Sequence, residues 1–207
     1  MNGATNWIWM DSWTAEDKEW PVLVLFRKTL DLEKMPRKAS LRVSADSRYK
    51  LYINGSLAEI GPSRGDSQVW FFDEVDICPY LEEGENIIAV QVLRYPQIHS
   101  RGNHGIFRTD YPGLFVQGTV EFTDGKQLEI DADYSWKVRK DSGFHIVSES
   151  DVFAPLQIYE DYTGSSSLQG WMHRGYDDIS WEPASEYPNM SRAVSPGNLF
   201  PRTIPFL

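Results

Sequence analysis

The sequence predicts an all-β fold, a sandwich or jelly roll, on three observations. Segments rich in β-branched and aromatic residues recur along most of the chain. Glycine, proline, Asn-Gly and Asp-Gly punctuate them at short intervals. No amphipathic pattern of helical period runs for about 10 residues or more. Many short strands joined by tight turns are the signature of two packed sheets.

The elements follow in order. Residues 21–32 (PVLVLFRKTLDL) read as one long strand. Residues 40–44 (SLRVS) alternate, with Leu41 and Val43 on one face and Arg42 and Ser44 on the other. Residues 49–53 (YKLYI) alternate as well, and Asn54-Gly55 closes them in a hairpin turn whose two central residues both need positive φ. Residues 57–60 form the returning strand. Strands are then expected at 68–72, 86–93, 114–122 and 127–131, the last two joined at Asp124-Gly125. Residues 99–111 (HSRGNHGIFRTDY) are polar with two glycines, and read as a long excursion between strands, the place where a rigid sheet carries function. Residues 1–184 are taken as the sandwich. Residues 185–207 hold four prolines and no period, so they read as an extended linker or edge segment leading toward a further domain.

Composition narrows the function classes. With 207 residues, 41% of them hydrophobic and 14% aromatic, the chain can bury one sizeable core and is too apolar for disorder. No apolar run approaches the ~20 residues that cross a bilayer, so no membrane partner is expected. The net charge of -10 and the lack of any Lys/Arg run argue against nucleic acid. The single cysteine, Cys78, rules out an internal disulfide and a thiolate metal cluster, and reads as a buried inert thiol. The N-terminus MNGATNWIWM has no basic region followed by an apolar stretch, so no signal peptide is read there.

No chemistry-bearing constellation selects itself. Thirty acidic residues offer many carboxylate pairs and single out none. Glu82-Glu83 lie in a turn and read as solvated charge. Glu160-Asp161 follow an apolar stretch, yet adjacent residues on a strand point to opposite faces. His99, His104 and Asp110 share a loop without the spacing of a known metal motif, and read as loop polar residues. Arg64-Gly65-Asp66 follow Gly61-Pro62 and read as a tight turn rather than an adhesion tripeptide. The eight tryptophans are mostly core; Trp13 and Trp171, in polar contexts, are the ones expected at the surface, where a ring could stack on a sugar face.

Several segments, taken together and in order, resemble the N-terminal β-sandwich region of bacterial α-L-rhamnosidases. They are Trp7-Ile8-Trp9, the strand Phe26-Arg27-Lys28-Thr29-Leu30, the run 43–55 ending in Tyr52-Ile53-Asn54-Gly55, and GPSRGD at 61–66. Val75-Asp76-Ile77, LEEGEN at 81–86, Gly170-Trp171, YDDISWEPA at 176–184 and PRTIP at 201–205 complete the set. The resemblance implies a jelly-roll or galactose-binding-like sandwich, with a catalytic (α/α)6 barrel downstream that holds the acid and base. This chain is then an accessory domain that packs against the barrel or presents substrate to it, in a periplasmic or extracellular enzyme. A lectin-like module for L-rhamnose or a related terminal sugar, with calcium as a candidate ion, is the alternative. The candidate sugar contacts are Arg101, His104, Arg108, Asp110, Glu160, Asp161 and Trp171. Family members often carry a Gly-Glu-x-x-Asp-Ala-Arg stretch near Trp171; here residues 158–165 (IYEDYTGS) keep the acid but lack Asp-Ala-Arg.

Overall fold

The structure, a computed structural model, describes residues 7–15, 17, 20–63, 65, 69–95, 112–147, 159–163, 168–186 and 199–205. Fifteen strands are described: β1 (Trp7–Trp9), β2 (Val22–Leu32), β3 (Lys38–Asp46), β4 (Arg48–Ile53), β5 (Ser56–Gly61), β6 (Trp70–Asp76), β7 (Gly84–Arg94) and β8 (Gly113–Glu121), then β9 (Gln127–Asp131), β10 (Lys137–Lys140), β11 (Phe144–Val147), β12 (Tyr159–Tyr162), β13 (Glu182–Pro183), β14 (Ser185–Glu186) and β15 (Leu199–Pro201). One 3-10 turn, Cys78–Tyr80, interrupts them between β6 and β7.

Two sheets form the sandwich. One runs β14-β1-β8-β3-β6-β15, with β9 also paired to β8, and the other runs β13-β10-β2-β7-β4-β5. A separate two-stranded sheet joins β11 to β12. The main core lies between the sheets and includes Trp9, Phe26, Leu41, Leu51, Val90 and Trp136.

The apolar runs of β2 and β7 have a physical cause. Val22, Val24 and Phe26 face the inter-sheet core, while Leu23 and Leu25 face a second apolar layer. In β7 the same split sends Ile88, Val90 and Val92 inward, and Ile87 and Ala89 outward. A strand covered on both faces loses its polar-out alternation and reads as a continuous run. The outer cover is the segment 168–181, which brings Leu168, Trp171 and Trp181 onto that face.

The predicted strands are present, with three differences. Ser44 lies on the face opposite Leu41 and Val43 yet is buried, because its hydroxyl donates to the carbonyl oxygen of Phe71 at 2.7 Å. Cys78 is only partly buried; it opens the 3-10 turn, with its thiol 3.7 Å from the carbonyl oxygen of Pro36. Within the tail, β14 pairs with β1 and β15 pairs in parallel with β6, so the described parts of 185–207 are edge strands of the sandwich. Proline-rich spacing hid them, since β14 and β15 are two and three residues long and offer no period.

The Asn54-Gly55 turn meets its sequence expectation: Ile53 pairs with Ser56, and φ is 51° at Asn54 and 86° at Gly55. Gly55 has a further reason to be glycine. A Cβ there would sit 2.1 Å from Cε1 of His173, in the covering segment.

Candidate functional site

Residues from several of the motifs meet in two charged clusters, one at an edge of the sandwich and one on its outer face. The edge cluster is built from β4, β5, β6 and the tail. Strand alternation turns Tyr49 inward from β4, Asp73 inward from β6 and Glu59 inward from β5. Tyr49 donates its hydroxyl to Asp73 Oδ2. Arg202, just past β15, places Nη1 3.3 Å from Asp73 Oδ1 and 3.5 Å from Glu59 Oε1. Its backbone N–H donates to the carbonyl oxygen of Phe72 at 2.9 Å, which extends the β15–β6 pairing by one residue. Gly61 is required here, because a Cβ would lie 1.9 Å from Asp73 Oδ2.

Asp73 is fully buried, and burial pushes its carboxyl above the ordinary value against the pull of Tyr49 and Arg202. Burial likewise pushes the Tyr49 phenol upward, and the charge of Asp73 adds to it. Both carboxyl oxygens of Asp73 are engaged, so what this group does chemically is hold β4, β6 and the tail together.

The outer cluster centres on Arg27, buried on β2. Its Nε donates to Asp178 Oδ2 at 2.9 Å, and its Nη1 donates to the carbonyl oxygens of Trp171 and His173, the latter at 3.2 Å. The guanidinium lies 5.2 Å from the ring centre of Tyr176. Lys137 on β10 donates to the same carboxylate, Oδ1, at 2.6 Å. Burial alone would raise the Asp178 carboxyl, but Lys137 and Arg27 outweigh it and hold the group below its ordinary value. The planar guanidinium suits this site: one carboxylate and two carbonyls are bound by a single fork.

The expected site residues are distributed differently. Arg101, His104, Arg108 and Asp110 lie outside the described residues. Glu160 and Asp161 are exposed neighbours on β12, where Asp161 pairs across the ladder with His145. Trp171 is the correction: it is 7% exposed, stacked on Trp181 with ring centres 6.2 Å apart and edge-on to Tyr52 at 6.0 Å. Its polar neighbours belong to a loop that delivers the indole onto the outer face of β2 and β7, where exposed aliphatics would otherwise meet water. Trp13 is also partly buried, edge-on to Trp9 at 5.6 Å and 5.3 Å from the Arg94 guanidinium. Trp20, 53% exposed, is the surface tryptophan of the described residues. Among the described residues no three His, Cys, Asp or Glu side chains are placed to share a metal ion.

Sequence reasoning missed Asp73, Glu59 and Tyr49 as a unit. Gly61-Pro62 and Arg202-Thr203 were visible as motifs, but their pairing needs the parallel β15–β6 register, which no local pattern encodes.

The sequence pattern that defines the alpha-L-rhamnosidase N-terminal domain matches residues 34–202. The chain is 26% identical over 152 residues to an alpha-L-rhamnosidase of Streptomyces avermitilis, covering 70% of this chain and 14% of that protein. It superposes on a rhamnosidase of glycoside hydrolase family 78 from Bacillus sp. GL1 with a TM-score of 0.72 at 28% identity, over 100% of this chain and 20% of that one. The fold is also that of a lectin from Pleurotus ostreatus, solved in complex with GalNAc, with a TM-score of 0.61 at 22% identity over 93% of this chain and 44% of the lectin. The chain therefore spans less than a quarter of the length of the rhamnosidases it matches.

Proposed function

The chain belongs to the alpha-L-rhamnosidase N-terminal domain family, and from that premise we propose that it is a non-catalytic accessory sandwich of an α-L-rhamnosidase-type glycoside hydrolase, packing against a catalytic domain of the same polypeptide. The observation that carries this reading is the match to residues 34–202 in relatives of which the chain is only a 14% to 20% part. The chemistry of the two charged clusters supports it. The charged side chains of both clusters are occupied in holding the chain's own segments, at Asp73 by Tyr49 and Arg202 and at Asp178 by Arg27 and Lys137.

A lectin-like module is the second reading, favoured by the shared fold with the GalNAc-bound lectin. Its sugar platform is not Trp171, which is buried under the covering segment. Isothermal titration of the 207-residue chain with L-rhamnose, with and without calcium, separates the two. The accessory reading expects no saturable heat in either condition; saturable binding transfers the function to the lectin-like reading.

A further inference from the structure

Strand β5 ends the six-stranded sheet and β15 ends the seven-stranded sheet, and the Arg202–Glu59 contact of 3.5 Å places these two ends on one side of the sandwich. The opposite ends are β13 and β14, each two residues long. Very short terminal strands offer little to an incoming chain. β5 is different: it has six residues, and among the described residues no strand pairs with its outer edge. Its one charged residue, Glu59, is turned inward to Arg202, while Leu57 and Ile60 are 48% and 51% exposed. Phe200 and Ile204, flanking Arg202 in the tail, are 44% and 57% exposed. Four of the ten exposed large hydrophobic side chains of the described residues therefore belong to this one side. Natural sheets blunt a long edge with charge, with bulges or with a cover; β5 has a register shift opposite Leu51 and Tyr52 and its Ile60 N–H donates to Glu59 Oε1, but the strand carries no outward charge. A group of exposed apolar side chains on one side of a sandwich suits contact with another protein surface.

We propose that the sandwich edge formed by β5 and β15 is the docking surface for the downstream domain of the same polypeptide, with Arg202 clamping the tail in place on it. This rests on the accessory reading above. Its occupant follows from two observations. The rhamnosidases that share this fold carry more than three-quarters of their length outside the matched sandwich, since the chain covers 14% to 23% of them. The tail strand itself lies on this edge, in parallel register with β6, and Arg202 locks it to Asp73 and Glu59. A domain tethered through that segment meets the apolar edge at a high effective concentration, so modest apolar contact suffices to hold it.

Hydrogen exchange on the 207-residue chain, and on a chain carrying the sandwich with its downstream domain, tests the proposal. The outward amides of Ser56–Gly61 are expected to exchange at least about tenfold more slowly in the longer chain. Equal exchange there, with protection appearing on another surface, overturns this proposal and leaves the accessory reading standing. No new protection anywhere on the sandwich overturns both. As a second readout, Leu57→Asp with Ile60→Asp should raise the rate at which a protease separates the two domains by about tenfold, with the melting point of the 207-residue chain unmoved. An unchanged separation rate counts against the edge as the contact.

Discussion

The two arginine clusters do similar work with opposite electrostatics. At the outer face, two cations, Arg27 and Lys137, share the one carboxylate of Asp178, which keeps a 17% exposed side chain. At the edge, one cation, Arg202, serves two carboxylates, Asp73 and Glu59, and Asp73 is fully buried. The carboxyl of Asp178 is accordingly held below its ordinary value and that of Asp73 is pushed above it. An ion pair alone does not set the direction of a shift. The depth of burial and the ratio of cations to carboxylates decide it.

The comparison breaks most visibly at the covering segment. Trp171→Ala should cost about 4 kcal/mol, because it removes the centre of the layer that seals the outer face of β2 and β7. Chemical denaturation measures this, and a cost under about 1 kcal/mol would mean that the segment is a loose flap. Arg27→Met should follow at about 3 kcal/mol: Asp178 keeps Lys137, but two carbonyl oxygens and a partly buried carboxylate oxygen lose their donor. Arg202→Met should cost less, about 2 kcal/mol, since Asp73 can take up a proton when its cation is gone. A larger loss for Arg202→Met than for Arg27→Met would invert the account. Gly55→Val should cost about 1 kcal/mol or more, from positive φ and from the His173 ring beside it.

The smallest effect is the sharpest in sign. Asp73 has a raised folded value, so as pH falls from above that value toward 3.8 the native state binds its proton first and stability rises. Asp178 has a lowered folded value, so its contribution is present above 3.8 and is lost as pH falls through the folded value below that. Melting curves across this range for Asp73→Asn and Asp178→Asn should remove the first trend and the second, respectively. If both variants change the profile in the same direction, the contrast between the clusters is wrong.

Much of the fold was legible because strand signals are local. Leu41, Val43, Tyr49, Leu51 and Ile53 alternate into the core as their spacing requires, and Asn54-Gly55 turns the chain as its dihedral needs dictate. The tail strands were not legible, because β14 and β15 are too short for a period and draw their partners from β1 and β6, far away in sequence. Trp171 misled for a related reason. Polar neighbours suggest exposure only when a loop runs over water, and this loop runs over Leu23, Leu25, Ile87 and Ala89. Arg27, Tyr49, Asp178 and Arg202 stood in recognisable motifs, while Glu59, Asp73 and Lys137 did not, and a motif does not say whether an arginine meets a ligand or its own chain.

The central claim is that this sandwich serves a catalytic domain and does no hydrolysis itself. The direct measurement is release of p-nitrophenol from p-nitrophenyl α-L-rhamnoside by the 207-residue chain, beside a chain that carries the sandwich with its downstream domain. The account predicts turnover by the longer chain and none above background by the sandwich. Enzyme-like turnover by the sandwich alone would contradict it.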